Sequence, residues 1–418
     1  MSLDEILSLA ITVVTITGVV IAVNLIERQP IVLSRWTRQP LDLRTYVRRL
    51  MLILDTLILV FGVVLLAVAY LNPDALGEVN KSEVWIGSVA AILTGVAGIA
   101  LLPSGVRHRI AVLFPPAEEN YETAPVSSLS DWTLQPKPQS TPLFPQILNY
   151  YTEEMVSEPS MPPMPAVHAA DDRRQSSRAR GGFRPDSIVH LAAMYICLYG
   201  VGLQVITFAL GGGLTGLAET YENGLGIADL LANFIPFVVL SLFGVGLGTR
   251  RNWTQVRERL GLYWPGQRGI MIALVLVVAL FVFVATLSAI WMALVSEETY
   301  EEQTKASDAL AESVNSVWLA FLVAAMAAIG EEVAFRGALQ PVFGLWPTAI
   351  VFTLIHAQYT LTPAWLIILG VAVTFGWLRD RYGTGAAMIT HFFYNFIPLL
   401  ISVTAPEEAL SVIFLLFR

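Results

Sequence analysis

The sequence predicts an all-α protein: a polytopic bundle of about ten transmembrane helices with a disordered cytoplasmic linker. Apolar residues make up 55% of the 418 positions, and charged residues only 14%, far fewer than a soluble domain carries. The mean hydropathy is +0.63. Long apolar runs recur along the chain, and a span needs about 20 such residues to cross roughly 30 Å of hydrocarbon. These observations together predict a membrane protein.

The apolar runs set the expected spans. The first run follows an acidic N-terminus without the basic n-region of a signal peptide, so we interpret it as a retained transmembrane helix. The spans are expected near residues 6–26, 51–71, 85–102, 188–210, 230–247, 270–294, 317–335, 345–359, 364–378 and 386–403.

Loop charges predict the orientation of the bundle. Arginine-rich loops mostly alternate with acidic ones, and basic loops favour the cytoplasmic side. We therefore expect both termini on the outer side and the linker inside, in the plasma membrane of a bacterium.

Composition divides the chain into three expected parts. Residues 1–114 form a three-span module of unassigned role, and residues 187–418 form the core of the protein. Residues 115–186, rich in Pro, Ser and charge, cannot bury enough apolar surface to offset their ordering entropy, so a flexible linker is expected. Within it, residues 144–155 could form a short interfacial helix. This division predicts that a chain lacking residues 1–180 keeps a folded, active core.

Ionisable side chains stand out in the seventh expected span, because each costs roughly 2.5–3.5 kcal/mol at the centre of a membrane helix. This span ends with Glu331, Glu332 and Arg336. Glu332 and Arg336 are four residues apart and share a helix face, so they can pair. Glu331 points about 100° away and is available to a cavity. The alternative is a helix end whose charges reach the membrane interface.

Two histidines lie in the neighbouring spans. His356 follows Phe352 in the eighth, and His391 precedes Asn395 by one helical turn in the tenth. Alone, each has a simpler explanation as a packing residue or as polar contact between helices. The chain has only five histidines, however, and two of them fall beside the paired glutamates. A desolvated glutamate can act as a general base, and His and Asn can stabilise an oxyanion, so this group favours water activation.

At these residues the sequence resembles the CPBP family, the CAAX prenyl protease and bacteriocin-processing group also called Abi. That family has the motifs EExxxR, FxxxH and HxxxN on successive membrane helices. Here they are Glu331 to Arg336, Phe352 to His356, and His391 to Asn395, in the same order. The resemblance covers about residues 186–405 and leaves out the first three spans and the linker.

The resemblance implies an intramembrane endopeptidase that acts on a membrane-associated protein or peptide, a class that includes prenylated CAAX-like substrates. It implies that Glu331 activates water, that Glu332 and Arg336 organise the site, and that His356 helps to bind water. His391 and Asn395 would form the oxyanion site, with Phe352 as packing support.

The metal requirement stays open at this stage. We favour a mechanism with no cofactor, because the HExxH zinc motif is absent. The alternative is a metalloprotease with zinc or another divalent ion on Glu331, His356 and His391, a ligand set that zinc accepts.

Other classes of protein receive less support. A serine protease would need a Gly-x-Ser-x-Gly-like setting, and none is found. An aspartyl intramembrane protease needs two aspartates, and Asp55 is the only clear one in a span; we interpret it as a packing residue. No nucleic-acid partner is expected, since no basic face or binding module is present. The main alternative is a non-catalytic immunity factor, scaffold or transporter that uses the same bundle; it does not require every polar group.

Overall fold

The computed structural model describes residues 3–33, 40–72, 80–116, 181–222, 224–357 and 364–405. Within these ranges the chain is almost entirely helical, which confirms the predicted fold class. The short antiparallel pair of β1 (Ile31–Leu33) and β2 (Pro40–Asp42) joins the first two helices.

The first half of the described chain contains seven helices. Polar side chains cap the N-termini of several of these helices. Asp42 accepts a hydrogen bond from the backbone N–H of Arg44, and Ser187 accepts one from the backbone N–H of His190. The helices are α1 (Leu3–Arg28), α2 (Leu43–Leu71), α3 (Lys81–Leu101), α4 (Ser104–Ile110), α5 (Ile188–Leu210), α6 (Gly213–Glu222) and α7 (Ile227–Gly244).

The second half contains eight further helices and one π-helical turn, Val333–Leu339. The helices are α8 (Trp253–Arg259), α9 (Gly266–Leu294), α10 (Glu297–Ser313), α11 (Val317–Glu332), α12 (Gln340–Phe343), α13 (Leu345–Leu354), α14 (Ala364–Tyr382) and α15 (Thr384–Thr404). The core of this half is the packing of α15 against α9, α11 and α14, with α7 beside α11.

In the part of the chain that the structure describes, eight helical segments are long and apolar enough to cross a membrane, against the ten that we expected. They are α1, α2, α3, α5, α7, α9, α15 and the continuous stretch Val317–Phe343, which runs from α11 through the π turn into α12. The expected eighth and ninth spans do not qualify. Helix α13 is only 10 residues long, and the last turn of α14 carries Arg379, Asp380 and Arg381. The eight apolar helices make this an integral membrane protein.

The first three membrane helices pack directly on the rest of the bundle. The carboxylate of Asp55 on α2 accepts hydrogen bonds from the hydroxyl groups of Tyr195 and Tyr199 on α5, at 2.8 and 2.6 Å. A Cβ on Gly98 of α3 would lie 1.9 Å from Asp55 Oδ1, so only glycine allows α2 and α3 to approach this closely. Asp55 therefore has the packing role that the sequence indicated.

Helix α1 also contacts the core. Glu27 near its end pairs with Arg184 at 3.3 Å and accepts a hydrogen bond from the backbone N–H of Ile188 at 2.9 Å. One turn earlier in α1, the side-chain amide of Asn24 donates to the carbonyl of Phe243 on α7 at 3.0 Å. The expected module of residues 1–114 thus shares buried polar contacts with the core and is not packed as a separate body.

Most of the expected linker, including the interfacial helix at residues 144–155, lies outside the described residues. Its two ends are described, and they pack on the core. Phe183 is buried against Phe114 and Phe343, and the backbone N–H of Gly182 donates to the carbonyl of Pro341 at 2.7 Å. The apolar Phe183, within the expected linker, thus packs on the core, and the boundary at residue 186 stays a prediction.

Two helices, α6 and α10, occupy regions that we expected to be acidic outer loops. They pack against each other. We did not predict these two helices because both contain acidic and other polar residues, which we interpreted as the charge of a loop.

Candidate active site

The site begins at the point where α11 changes into the π turn. Glu331 and Glu332 are the last two residues of α11, and Arg336 lies within the turn. Such π turns occur frequently at functional sites. Arg259 on α8 holds the end of the turn by donating to the carbonyls of Gly337 and Ala338 at 2.9 and 3.2 Å. The backbone of the π turn is therefore held in place by a side chain from a different helix.

Glu332 is completely buried and contacts two partners. Its Oε1 lies 3.0 Å from His391 Nδ1, and its Oε2 lies 3.2 Å from Arg336 Nε. The contact with Arg336 is an ion pair without the alignment of a hydrogen bond, since Oε2 has no hydrogen-bond partner among the described residues. Because a carboxylate only accepts, His391 donates through Nδ1, and Nε2 of a neutral ring is then the acceptor.

Arg336 is 1% exposed and is enclosed mainly by aromatic rings. Its guanidinium carbon lies 4.3 Å from the ring centre of Phe352 and 5.5 Å from that of Phe375, and its Nη2 donates to the carbonyl of Ala372 at 3.1 Å. A cation above an aromatic face is stabilised by the ring quadrupole, more so when both are desolvated. Phe352 therefore does more than fill space: it faces the charge that neutralises Glu332.

His356 immediately follows α13, and the same Phe352 positions it. Its ring lies 4.8 Å from that of Phe352, and its Nδ1 is 2.7 Å from the Phe352 carbonyl. A carbonyl only accepts, so Nδ1 carries the hydrogen, and Nε2 is the acceptor atom of a neutral ring. Both site histidines thus have Nδ1 committed to a fixed acceptor.

Glu331 and His356 line one cavity of about 990 Å³. Its walls come mainly from α1, α2, α5, α7, α13 and the π turn, and they are largely apolar. Glu331 is half-buried, whereas Glu332 is fully buried. Of the two glutamates, only Glu331 can therefore contact a molecule bound in this cavity. The 100° offset expected from the sequence is what separates their surroundings.

His391 and Asn395 lie on α15, which packs against α11. His391 is 5% exposed and stacks on Phe375 with ring centres 4.8 Å apart; Asn395, one turn further along α15, is half-buried. Neither residue is part of the cavity wall. Glu331 and His356 therefore line the same cavity, whereas Glu332 makes direct contacts with Arg336 and His391.

The three residues considered for a metal do not converge. No group of three His, Cys, Asp or Glu side chains that could hold a metal ion occurs in the described ranges. His391 is hydrogen-bonded to Glu332, whereas Glu331 and His356 face the cavity. The three donor atoms that zinc would need are thus not grouped at one place.

Helix α14 contributes supporting residues that the sequence analysis missed. Arg379 donates to the carbonyl of Arg336 at 3.0 Å, and Gln340 donates to Gly376 O and Asp380 Oδ1 at 2.8 and 2.9 Å. We had interpreted the basic end of this helix only as an orientation signal. The Arg379–Asp380 pair, charged residues at the end of an apolar helix, was the one available clue.

Comparison with known protein families gives a match in the second half of the chain. Residues 313–397 match the family described as type II CAAX prenyl endopeptidase Rce1-like. This stretch is similar to the CAAX protease family. It contains all three motifs, from Glu331 to Asn395, so the resemblance seen in the sequence is confirmed there. No curated protein and no solved structure matches the chain.

The match leaves most of the chain outside it. Helices α1 to α9 precede the matched residues, although α1, α2, α5 and α7 form much of the cavity wall. The family supports a CAAX-type intramembrane protease activity in general. The substrate and the roles of individual residues must be argued from this chain.

Proposed function

We propose that the protein is an intramembrane endopeptidase that hydrolyses a peptide bond of a membrane-associated protein or peptide, with water activated by Glu331. The observation that carries the proposal is the shared cavity of Glu331 and His356, backed by the buried Glu332–Arg336–His391 group. A large apolar cavity with a few convergent polar groups is typical of a binding site. Prenylated CAAX-like substrates fit its apolar walls.

The reaction needs a base, a nucleophile and a group for the developing negative charge. Glu331 takes a proton from water while the water oxygen attacks the peptide carbonyl carbon, and His356 Nε2 holds that water. A role for Asn395 and His391 in stabilising the tetrahedral oxygen rests on the family resemblance, since neither residue lines the cavity of Glu331 and His356. The intermediate collapses when Glu331 returns the proton to the leaving nitrogen, which gives one new carboxylate and one new amine.

Glu332 and Arg336 are positioning residues in this scheme. Glu332 is fully buried, so it touches neither water nor substrate, but it orients His391 through Nδ1. Arg336 neutralises Glu332 at a place where an unpaired charge would be costly. The arginine-rich loops favour an orientation in which the substrate reaches the site from the cytoplasmic side of the plasma membrane. The linker lies on that same side.

The test uses the purified full-length protein in lipid nanodiscs with a panel of quenched peptides, apolar or prenylated near the C-terminus. We expect cleavage at one bond, and the new carboxyl group takes up one ¹⁸O when the reaction runs in labelled water. Wild-type protein that cleaves none of these peptides would count against the proposal. So would a Glu331→Ala variant that cleaves them at the wild-type rate, with the Glu312→Ala variant, changed on the exposed face of α10, as the control.

A further inference from the structure

The cavity that holds Glu331 and His356 also needs a hydrogen-bond donor for the oxygen of the peptide carbonyl. That oxygen gains negative charge when water attacks, and amide N–H groups are common donors to it. The described residues that line the cavity include six amide or hydroxyl side chains: Asn24, Tyr195, Tyr199, Gln204, Asn233 and Ser241. Each of these six is a candidate donor.

Four of the six donate all of their polar hydrogens to other parts of the protein. Asn24 donates both amide hydrogens, to backbone carbonyls of α1 and α7 at 2.9 and 3.0 Å. The hydroxyl groups of Tyr195 and Tyr199 donate to Asp55, and that of Ser241 donates to a carbonyl of its own helix. A hydroxyl group has a single hydrogen, so none of these four has a hydrogen left for a substrate.

The two remaining side chains, Gln204 on α5 and Asn233 on α7, each keep one amide hydrogen. Gln204 Nε2 donates to the carbonyl of Ile355 at 3.2 Å, and that carbonyl belongs to the peptide group that joins Ile355 to His356. Asn233 Nδ2 donates to the carbonyl of Asp229 in its own helix at 2.9 Å. An amide nitrogen has two hydrogens, so one remains in each case. Of the two, Gln204 is the one that is bonded to the backbone beside His356.

The wall of α5 beside Gln204 is open to the cavity. Ile196, Gly200 and Gln204 follow each other by one helical turn, and all three line the cavity. A Cβ on Gly200 would meet no heavy atom of another element within 4 Å, whereas a Cβ on Gly202 would lie 2.2 Å from Thr94 Oγ1 of α3. Gly202 thus faces the packed side of α5, and Gly200 leaves room for a peptide main chain next to Gln204.

Contacts at both ends of this wall hold Gln204 in place. Tyr195 and Tyr199 anchor α5 to Asp55 of α2, and Gln204 itself is bonded to the backbone just after α13. A donor that is in place before the substrate arrives needs little rearrangement when the charge develops. Helix α5 precedes residues 313–397, so the family match does not include this donor.

We propose that Gln204 Nε2 donates its second hydrogen bond to the carbonyl oxygen of the bond that is cleaved, which rests on the proposed function. When the water oxygen bonds to the carbonyl carbon, the π electron pair of the C=O bond moves onto the oxygen. The amide hydrogen of Gln204 stabilises that charge and is not transferred. The proton taken from water stays on Glu331 until it passes to the leaving nitrogen. Gly200 gives the substrate chain access to this position.

The first experiment removes the donor. Gln204→Met keeps the length of the side chain but has no N–H, and it is assayed in full-length protein in lipid nanodiscs with one cleaved peptide. We expect kcat to fall by about 10²-fold and KM to stay within about twofold, because the hydrogen bond strengthens only in the transition state. Thr207→Val is the control, since Thr207 lies on α5 outside the cavity wall. A folded Gln204→Met variant that keeps kcat within a few-fold of the wild type would overturn the proposal.

A second substrate separates a donor from a residue that only positions His356. In this peptide, sulfur replaces the carbonyl oxygen of the cleaved bond, and sulfur is the weaker hydrogen-bond acceptor. We expect the ratio of kcat for the oxygen peptide to kcat for the sulfur peptide to be about tenfold smaller in Gln204→Met than in the wild type. A positioning role would lower both rates and leave this ratio unchanged, which would contradict the proposal. So would a ratio that changes in Asn233→Leu and not in Gln204→Met.

The open space at Gly200 gives a test that does not alter Gln204. Gly200→Leu fills this space, and we expect KM to rise by about tenfold or more because the substrate chain is kept away from Gln204. Gly18→Leu is the matched control, since a Cβ on Gly18 also meets no heavy atom within 4 Å but Gly18 lies outside the cavity wall. An unchanged KM in Gly200→Leu would count against the proposal even if Gln204→Met fails to fold. Wild-type protein that cleaves no peptide would instead reject the proposed function.

Discussion

Glu332 Oε1 lies 3.0 Å from His391 Nδ1, and this contact joins α11 to α15 inside the site. On its other side, Glu332 faces Arg336 at 3.2 Å, and both side chains are fully buried. The second glutamate of the pair is thus an organiser of its neighbours, while the first, Glu331, faces the cavity.

The buried ion pair predicts an unequal response to single and double changes. Glu332→Ala leaves Arg336 buried without its counter-charge, which we expect to cost about 3–5 kcal/mol of stability. Glu332→Ala combined with Arg336→Met removes both charges and should recover much of that loss. The measurement is the thermal unfolding temperature in detergent, with Glu331→Ala as the control. An unchanged unfolding temperature in Glu332→Ala would contradict the burial and pairing described above.

The ring of Phe352 predicts a second effect on stability. Phe352→Leu keeps an apolar side chain but removes the aromatic face 4.3 Å from the Arg336 guanidinium. We expect a loss of about 2 kcal/mol from cation–π contact and packing, with reduced cleavage because the same ring also contacts His356. The matched control is Phe392→Leu, whose ring packs with Phe321, Phe393 and Phe396 and not with Arg336. Equal losses in both variants would remove the special role of Phe352.

Sequence patterns predicted the membrane bundle and the candidate residues but not how those residues are grouped. Long apolar runs gave the helices, and helical spacing gave the pairing of Glu332 with Arg336. The contact of Glu332 with His391 depends on the packing of α11 against α15, which no local pattern contains. The cavity wall could not be predicted from the sequence either, since α1 and α2 end at least 260 residues before Glu331 along the chain.

The polar contacts between α2 and α5 change our expectation for truncation. A chain without residues 1–180 was expected to keep an active core. In the structure it would lose the partner of Tyr195 and Tyr199, the Glu27 partner of Arg184, and two walls of the cavity. We now expect this truncation to abolish cleavage and to lower the unfolding temperature sharply.

A milder change tests the same contacts without truncation. Tyr195→Phe removes the hydroxyl that reaches both Asp55 and the Gly98 carbonyl, and we expect it to cost about 1–3 kcal/mol. Full activity and unchanged stability in both the truncated chain and Tyr195→Phe would restore the separate-module interpretation.

The divided donor set predicts how chelators act. Glu331, His356 and His391 are not grouped as three metal ligands, so we expect EDTA or 1,10-phenanthroline to leave peptide cleavage within about twofold of the untreated rate. The assay compares treated protein before and after zinc is added back. Complete inhibition that zinc reverses would show that the site rearranges around a metal, against the mechanism proposed here.

The most direct test of the account is kcat for one cleaved peptide in the Glu331→Gln variant. This change keeps the size of the side chain and its place on the cavity wall, but an amide cannot take the proton from water. We expect kcat to fall by about 10²- to 10⁴-fold, with an unfolding temperature close to that of the wild type and with normal kcat in Glu312→Gln. A Glu331→Gln variant that is folded and retains kcat within a few-fold of the wild type would contradict the claim that Glu331 activates the water.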